Sequence, residues 1–411
     1  MTVSADVDVA IVGAGAAGVG AARRLCMSGR SILIVEASDR VGGRARTVGV
    51  DNLPLDLGCG WLHSAERNPW VAIAEGGGLA VDRRPSAWGQ QYRNLGFSPD
   101  EQSEARGAFD DFDTRLRTTP PPNDRAADAL VPGARWNAYL DALSGYINGT
   151  SLETLSVSDY LAYDDAASDT NWRVPAGYGT LVSGAVPRVP LALSTPVRRI
   201  NHHRSTLALE TLHGTITARA AIVTVATNVL ANGGITFDRG ADDHLHAAAN
   251  LPLGLADKLF LALDGCPDIA TDRHVIGNPH SAATGSYYLR PFGRDVIECF
   301  YGGASAAALE GSGLDGAAAF AIDELSHLFG SGIRSRLRLL AGSAWGRWDG
   351  FGGSYSHALP GHAGARAVLA RPIDNRVFFA GEACSANDFS TAHGALATGI
   401  AAAEAALAAL D

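Results

Sequence analysis

The chain has 411 residues, 46% of them hydrophobic and 18% charged, and a formal net charge of −10. At roughly 100 to 200 residues per domain this length fits two or three domains around a sizeable core. The composition excludes collagen-like, disordered and disulfide-scaffold classes, and the acidic balance argues against a nucleic-acid surface.

In chain order, Asp6 to Val12 reads as an apolar strand, Gly13 to Gly18 as a Gly-rich turn, and the Ala-rich run to about Ser28 as a helix stopped by Gly29. Ser31 to Val35 predicts a second strand ending on Glu36. Ser98-Pro99-Asp100-Glu101 reads as an N-cap, a first-turn proline and a capping-box acid, opening a charged helix to about Leu116. Three prolines after Thr119 end it, and further helix-like sequence surrounds Trp136, Tyr139, Leu140 and Leu143. A β-rich stretch runs from Pro190 to Ala226, and strands are expected at Lys258 to Leu263, Asp295 to Tyr301 and Val377 to Ala380. Helices are expected near Ala306 to Leu328 and from Thr391 to Leu410. The elements predict an α/β nucleotide-binding domain of residues 1–80, 175–240 and 341–411, interleaved with an α+β substrate-binding domain of residues 81–174 and 241–340.

Two counts bear on chemistry. Lys258 is the only lysine, every other basic residue being arginine. Coding preference explains the bias, but a lone lysine is either an accident or a residue that arginine cannot replace. The cysteines Cys26, Cys59, Cys266, Cys299 and Cys384 are scattered and form no CxxC pair, so no disulfide framework or zinc site is expected. A reducing, cytoplasmic location fits that pattern. With no apolar run of roughly 18 residues and no apolar N-terminal leader, neither a membrane span nor a signal peptide is expected. The pairs His202-His203 and Asp164-Asp165 have no companion ligands at useful spacing and read as solvated surface.

Gly13, Gly15 and Gly18 fit the dinucleotide fingerprint: a tight turn, close approach of backbone to pyrophosphate, and close packing of helix on strand. Helix N-terminal amides then face the phosphates, and Glu36 stands where a carboxylate binds ribose hydroxyls. Ala17 and Ala37 join these residues as candidate cofactor contacts.

The next segment, Glu36 to Thr47 with Gly42-Gly43-Arg44, resembles the GG motif that follows the second strand in FAD-dependent amine oxidases. Asp56-Leu57-Gly58-Cys59-Gly60-Trp61-Leu62-His63 with Asn68-Pro69 is similar to the segment of polyamine and spermine oxidases that runs past the isoalloxazine. Pro175 to Gly179 with Leu181 resembles the family's substrate-side loop, and Leu193 to Val197 the strand whose valine backbone meets adenine. Trp345 with Gly353-Ser354-Tyr355-Ser356, and Ala380-Gly381-Glu382 with Thr391-Ala392-His393-Gly394-Ala395, resemble the two C-terminal blocks.

The resemblance implies a Rossmann-type FAD-binding domain and non-covalent FAD, because Ser354 stands where monoamine oxidases carry the flavin-linking cysteine. It places Gly43, Arg44, Gly60, Trp61, Val197, Trp345, Glu382, Thr391 and Ala392 at the cofactor. Glu382 would bond the ribityl or pyrophosphate region, and the Ala392 amide would face the flavin C2 carbonyl with the helix dipole behind it. Tyr355 matches one wall of the aromatic cage, and Thr391 occupies the other wall position, where monoamine oxidases have tyrosine. Trp61 joins them at the substrate. Lys258 matches the lysine that holds a water against flavin N5. His63 has two readings, a neutral imidazole near the substrate amine or a histidine satisfied beside the flavin, and His393 reads as a structural partner.

The implied activity is oxidation of a polyamine or other secondary or primary amine by hydride transfer to flavin N5, with imine hydrolysis and reoxidation by O2 to hydrogen peroxide. An L-amino-acid oxidase, an FAD-dependent desaturase and a non-catalytic flavoprotein stay open as alternatives. Arg67 keeps the first of these in view. A small-molecule amine and O2 are the partners, with nucleic acid and membrane excluded and monomer and homodimer both open.

Overall fold

The computed structural model describes residues 5–202, 206–348 and 350–411. Two sheets organise the chain. In the larger, the strand Ala5–Val12 lies between Ile32–Val35 and Gly214–Val223, parallel to both, and Val377–Phe379 pairs parallel with Gly214–Val223 on its other side. Val9, Ala10, Ile11 and Ile222 are wholly buried because helices cover this part of the sheet, the usual reason such strands read as unbroken apolar runs. One face packs against Ala16–Leu25 and Ala392–Leu410. The other packs against Asp242–Ala249 and neighbouring segments.

The smaller sheet is antiparallel, ordered Arg273–Ile276, Ser286–Leu289, Val296–Gly302, Ala256–Leu263 and Leu337–Gly342. Tyr287, Tyr301, Leu259 and Leu261 pack beneath the helix Gly303–Phe329 through Ala317, Ala321 and Leu325. That helix is interrupted at Gly313, whose φ of 73° leaves the helical region.

Local chemistry explains the element ends. Ser98 and Glu101 exchange the two capping-box bonds, so Pro99–Thr118 begins where the sequence predicts and runs two residues past the expected Leu116. The first helix stops at Leu25, three residues short of expectation, and the terminal helix starts at Ala392 with Thr391 as its cap. Ala392–Leu410 is long and apolar enough to cross a membrane. In this fold Ala402, Ala403 and Ala406 are buried against the core.

One surface expectation fails. His202 is fully buried, with Nε2 2.8 Å from Asp238 and Nδ1 3.2 Å from Asp374, because it closes the strand Val197–Asn201 against the loop before Val377–Phe379. His203 lies outside the described residues. Asp164 and Asp165 are exposed and share Arg117.

Candidate active site

A cavity of about 1640 Å3 runs from the carboxyl ends of the parallel strands to the inner face of the smaller sheet. Strand, turn and helix register bring the sites together: Val12, Val35 and Val223 end at one edge, so Gly13, Glu36 and Thr224 emerge side by side. This is where open α/β sheets bind ligands.

At this end the wall is mostly backbone. Gly13 has φ 111° and donates its amide to the Val35 carbonyl at 2.8 Å. A Cβ on Gly18 would sit 1.9 Å from the Gly13 carbonyl oxygen, so only glycine lets the helix close on the turn. Gly13, Gly15, Ala17, Ala37, Gly43 and Val197 all line the cavity, whereas Gly18 is buried behind them. Glu36 accepts from the Ala14 amide at 2.7 Å and from Ser38 at 2.8 and 2.9 Å, three of about four acceptor sites.

Glu382 lines the cavity and is tied to its neighbours. Its oxygens accept from Arg44 at 2.8 Å, from the Ser356 hydroxyl and amide at 2.6 and 3.3 Å, and from the Ser390 amide at 2.9 Å. That set saturates a carboxylate. Burial would raise its pKa, but Arg44, Ser356 and Arg366 outweigh it and hold the carboxyl below its usual range. Glu382 therefore orients Arg44, whose guanidinium also donates to the Ser354 carbonyl at 2.7 Å.

Ser354 exchanges two hydrogen bonds with Ala256, at the head of the strand that carries Lys258. Trp345 donates Nε1–H to the Leu57 carbonyl at 2.9 Å and stacks on Trp348. Thr391 caps the last helix through the Gly394 amide, so Thr391, Ala392 and the positive end of a 19-residue helix dipole face the cavity.

The substrate-side loop is displaced from its expected place. Gly177 to Leu181 packs beneath the cavity rather than lining it, because the Tyr178 and Gly179 amides are drawn to the buried Asp56 carboxylate.

Beyond the glycine turns the wall becomes aromatic. Trp61 packs on Trp88 at 4.4 Å and on Tyr288 at 5.6 Å, and His63 stacks on Trp88. Leu62 and Trp172 pair as an isolated bridge, which carries Asn171 to His63 and Arg173 to Trp61. The His63 imidazole donates Nδ1–H to the Asn171 amide oxygen at 2.7 Å, and burial pushes its pKa down to about 4, so the ring is neutral near pH 7. Tyr355 reaches the Tyr146 carbonyl at 2.8 Å, and Tyr163 and Phe389, 5.6 Å apart, line the cavity near Thr391.

Lys258 is buried, and its ammonium Nζ is paired with Glu298 Oε1 at 2.8 Å. Gly60 passes so close that a Cβ there would stand 2.7 Å from Nζ. Glu298 and Arg173 escape a motif-based reading, although a lone carboxylate inside the apolar strand Val296–Gly302 is a visible signal. Trp88, Tyr288, Tyr163 and Phe389 carry no comparable signal. His393 sits behind the site, 3.2 Å from Asp388, and Arg67 is held bidentate by the same aspartate. Neither lines the cavity. Among the described residues no cluster of His, Cys, Asp and Glu is arranged to hold a metal ion.

A Gly-lined dinucleotide cradle joined to an aromatic chamber with one buried ammonium defines a flavoprotein oxidoreductase site. The family model for flavin containing amine oxidoreductase matches residues 89–407, and that for the NAD(P)-binding Rossmann-like domain matches residues 11–74. The chain belongs to the flavin-containing amine oxidoreductase family and is an FAD-dependent amine oxidoreductase.

Similar proteins include polyamine oxidase 3 of Oryza sativa subsp. japonica, 28% identical over 96% of this chain and 88% of the relative. Polyamine oxidase 2 of Arabidopsis thaliana is 26% identical over 96% and 87%. Among solved structures, putrescine oxidase bound to putrescine matches with a TM-score of 0.81 at 19% identity, over 99% of this chain and all of the other.

Proposed function

We propose that this protein oxidises a polyamine or another secondary or primary amine with O2 as electron acceptor, releasing hydrogen peroxide, in the cytoplasm. The observation that carries the reading is the placement of Lys258 between the glycine cradle and the aromatic chamber of one continuous cavity. The polyamine and putrescine oxidases among the similar proteins support the substrate class. Residues 1–80, 175–240 and 341–411 form the cofactor half in this reading, and 81–174 with 241–340 the substrate half.

The residues present fit FAD: the glycine turn leaves room for a pyrophosphate, and Arg44 is held ready by Glu382. Gly13, Gly15, Glu36, Gly43, Arg44, Val197 and the Thr391–Ala392 helix end would hold it. When bound, FAD would supply the acceptor for the hydride of the amine α-carbon and a route for the electrons to O2. Trp61, Tyr355 and Thr391 confine the amine and exclude water. The neutral His63 imidazole accepts a hydrogen bond from the amine and orients it. Lys258 holds a water with the N–H donors that Glu298 leaves free. Water then hydrolyses the imine to a carbonyl compound and the smaller amine.

Engagement of Arg67 by Asp388 removes the residue that favoured an amino-acid carboxylate. The test is anaerobic mixing of the purified holoprotein with polyamines, monoamines, cyclic amines and L-amino acids, followed by O2. Flavin bleaching by an amine, with peroxide released on reoxidation, is expected. Bleaching by none of them, or reduction without peroxide, sinks the proposal.

A further inference from the structure

We propose that Glu298, clamped by Arg173, is a positioning residue that keeps Lys258 charged and its side chain fixed at the cavity wall. The proposal rests on the amine-oxidation reading only for its consequence; the ion array stands on geometry alone. Lys258 Nζ lies 2.8 Å from Glu298 Oε1, and Arg173 Nη2 lies 2.5 Å from Oε2, so each carboxylate oxygen serves one cation. All three side chains are buried, at 7%, 6% and 9% exposure.

Strand register builds the first contact. Lys258 pairs with Phe300 across the antiparallel ladder, and Glu298, two residues earlier, shares that face diagonally. Arg173 arrives from a different segment and is boxed by the rings of Trp61, Tyr288 and Phe292 at 4.7, 5.4 and 4.7 Å. Its Nε and Nη1 make no hydrogen bond, so Glu298 receives its one directed contact.

The surroundings leave this carboxylate as the counter-ion. Facing Lys258 are Asp56, Cys59 and His63 besides Glu298. Burial pushes the Cys59 thiol up to about 12 and His63 down to about 4, so both are neutral near pH 7. Asp56 is committed to Thr47 and to the Tyr178 and Gly179 amides. Burial would raise Glu298, but Arg173 and Lys258 overcome it and hold the group at about 2. A buried ammonium without such a partner favours its neutral form, and a neutral, unpinned amine loses the charge that orders a water.

Because Lys258 is the chain's only lysine, lysine isotopically labelled at Cε yields a single side-chain NMR signal for the holoenzyme. Glu298→Gln removes the counter-charge, and the pH at which the signal leaves its ammonium position should fall by about one unit or more relative to the unaltered protein. Arg173→Gln leaves Glu298 to Lys258 alone and should move it the opposite way. Anaerobic flavin bleaching or reoxidation should slow about tenfold or more in Glu298→Gln, with FAD retained as judged by its absorbance. If Glu298→Gln fails to fold, the upward shift in Arg173→Gln alone carries the test. Titrations that coincide with the unaltered protein overturn the proposal. Opposite shifts in a protein whose flavin no amine bleaches would uphold the ion array and remove the amine-oxidation reading instead.

Discussion

The two ends of the cavity are built from different material. At the cofactor end, glycines and main-chain amides from Gly13, Gly15, Gly43 and the Thr391–Ala392 helix end form the surface. At the amine end, side chains from Trp61, Trp88, Lys258, Tyr288 and Glu298 meet from five separate stretches of chain, with Arg173 behind them. Behind that surface, Gly18 tolerates no added atom, because a Cβ there meets the Gly13 carbonyl. A side-chain chamber tolerates exchange at any one position but depends on charges balancing.

Substitutions can break this contrast at either end. The largest effect is expected from Gly18→Ala, whose Cβ would lie 1.9 Å from the Gly13 oxygen and 2.9 Å from its carbon. It should cost about 3 kcal/mol and empty the FAD site, read by thermal denaturation with and without added FAD. Full flavin occupancy at unchanged stability would show that the cradle is softer than its geometry.

Lys258→Met should leave FAD bound and slow flavin reduction or reoxidation about a hundredfold, the scale of losing one preorganised donor. Rapid-mixing measurements of both half-reactions check this. Unchanged rates in both would return the lone lysine to the status of an accident.

Acid sharpens the comparison further, because the amine end holds two of three buried neutral histidines, His63 and His274, while His357 lies outside the cavity. Burial pushes His63, His274 and His357 from 6.5 to about 4. Between those values the unfolded chain binds protons that the folded chain refuses, so stability is complete above pH 6.5 and declines towards pH 4. Each contributes on the order of 3 kcal/mol, and urea denaturation across this window should show the decline. A flat profile would contradict the burial of these rings.

The smallest effect is expected at the surface. Arg84→Ala breaks exposed pairs with Asp82 and Asp272 and should change stability by less than about 1 kcal/mol, with flavin binding unaffected. A larger loss in the same denaturation experiment would mark this pair as part of the chamber wall.

Much of the cofactor end was legible because its constraints are local. Gly13, Gly15 and Gly18 sit within one turn, and a strand before and a helix after give them their meaning. The amine end was legible only where a motif happened to carry it, as with Trp61, His63 and Lys258. Glu382 was found, but its ties to Arg44, Ser356 and Ser390 were not, since they are contacts between distant segments. His202 was misread for the same reason: two adjacent histidines look solvated until Asp238 and Asp374 close over one of them.

By itself, then, the amino-acid sequence determined the strand–glycine turn–helix unit, the capped helix at Ser98 and the singular status of Lys258, because steric limits and capping act over a few residues. Only the tertiary structure decided that Lys258 faces Glu298, that Arg173 holds Glu298 from the other side, and that Gly60 leaves room for the ammonium. Those outcomes depend on strand register and on segments as far apart as Gly60 and Glu298, where pairing is set by packing the whole core and not by neighbours in the chain.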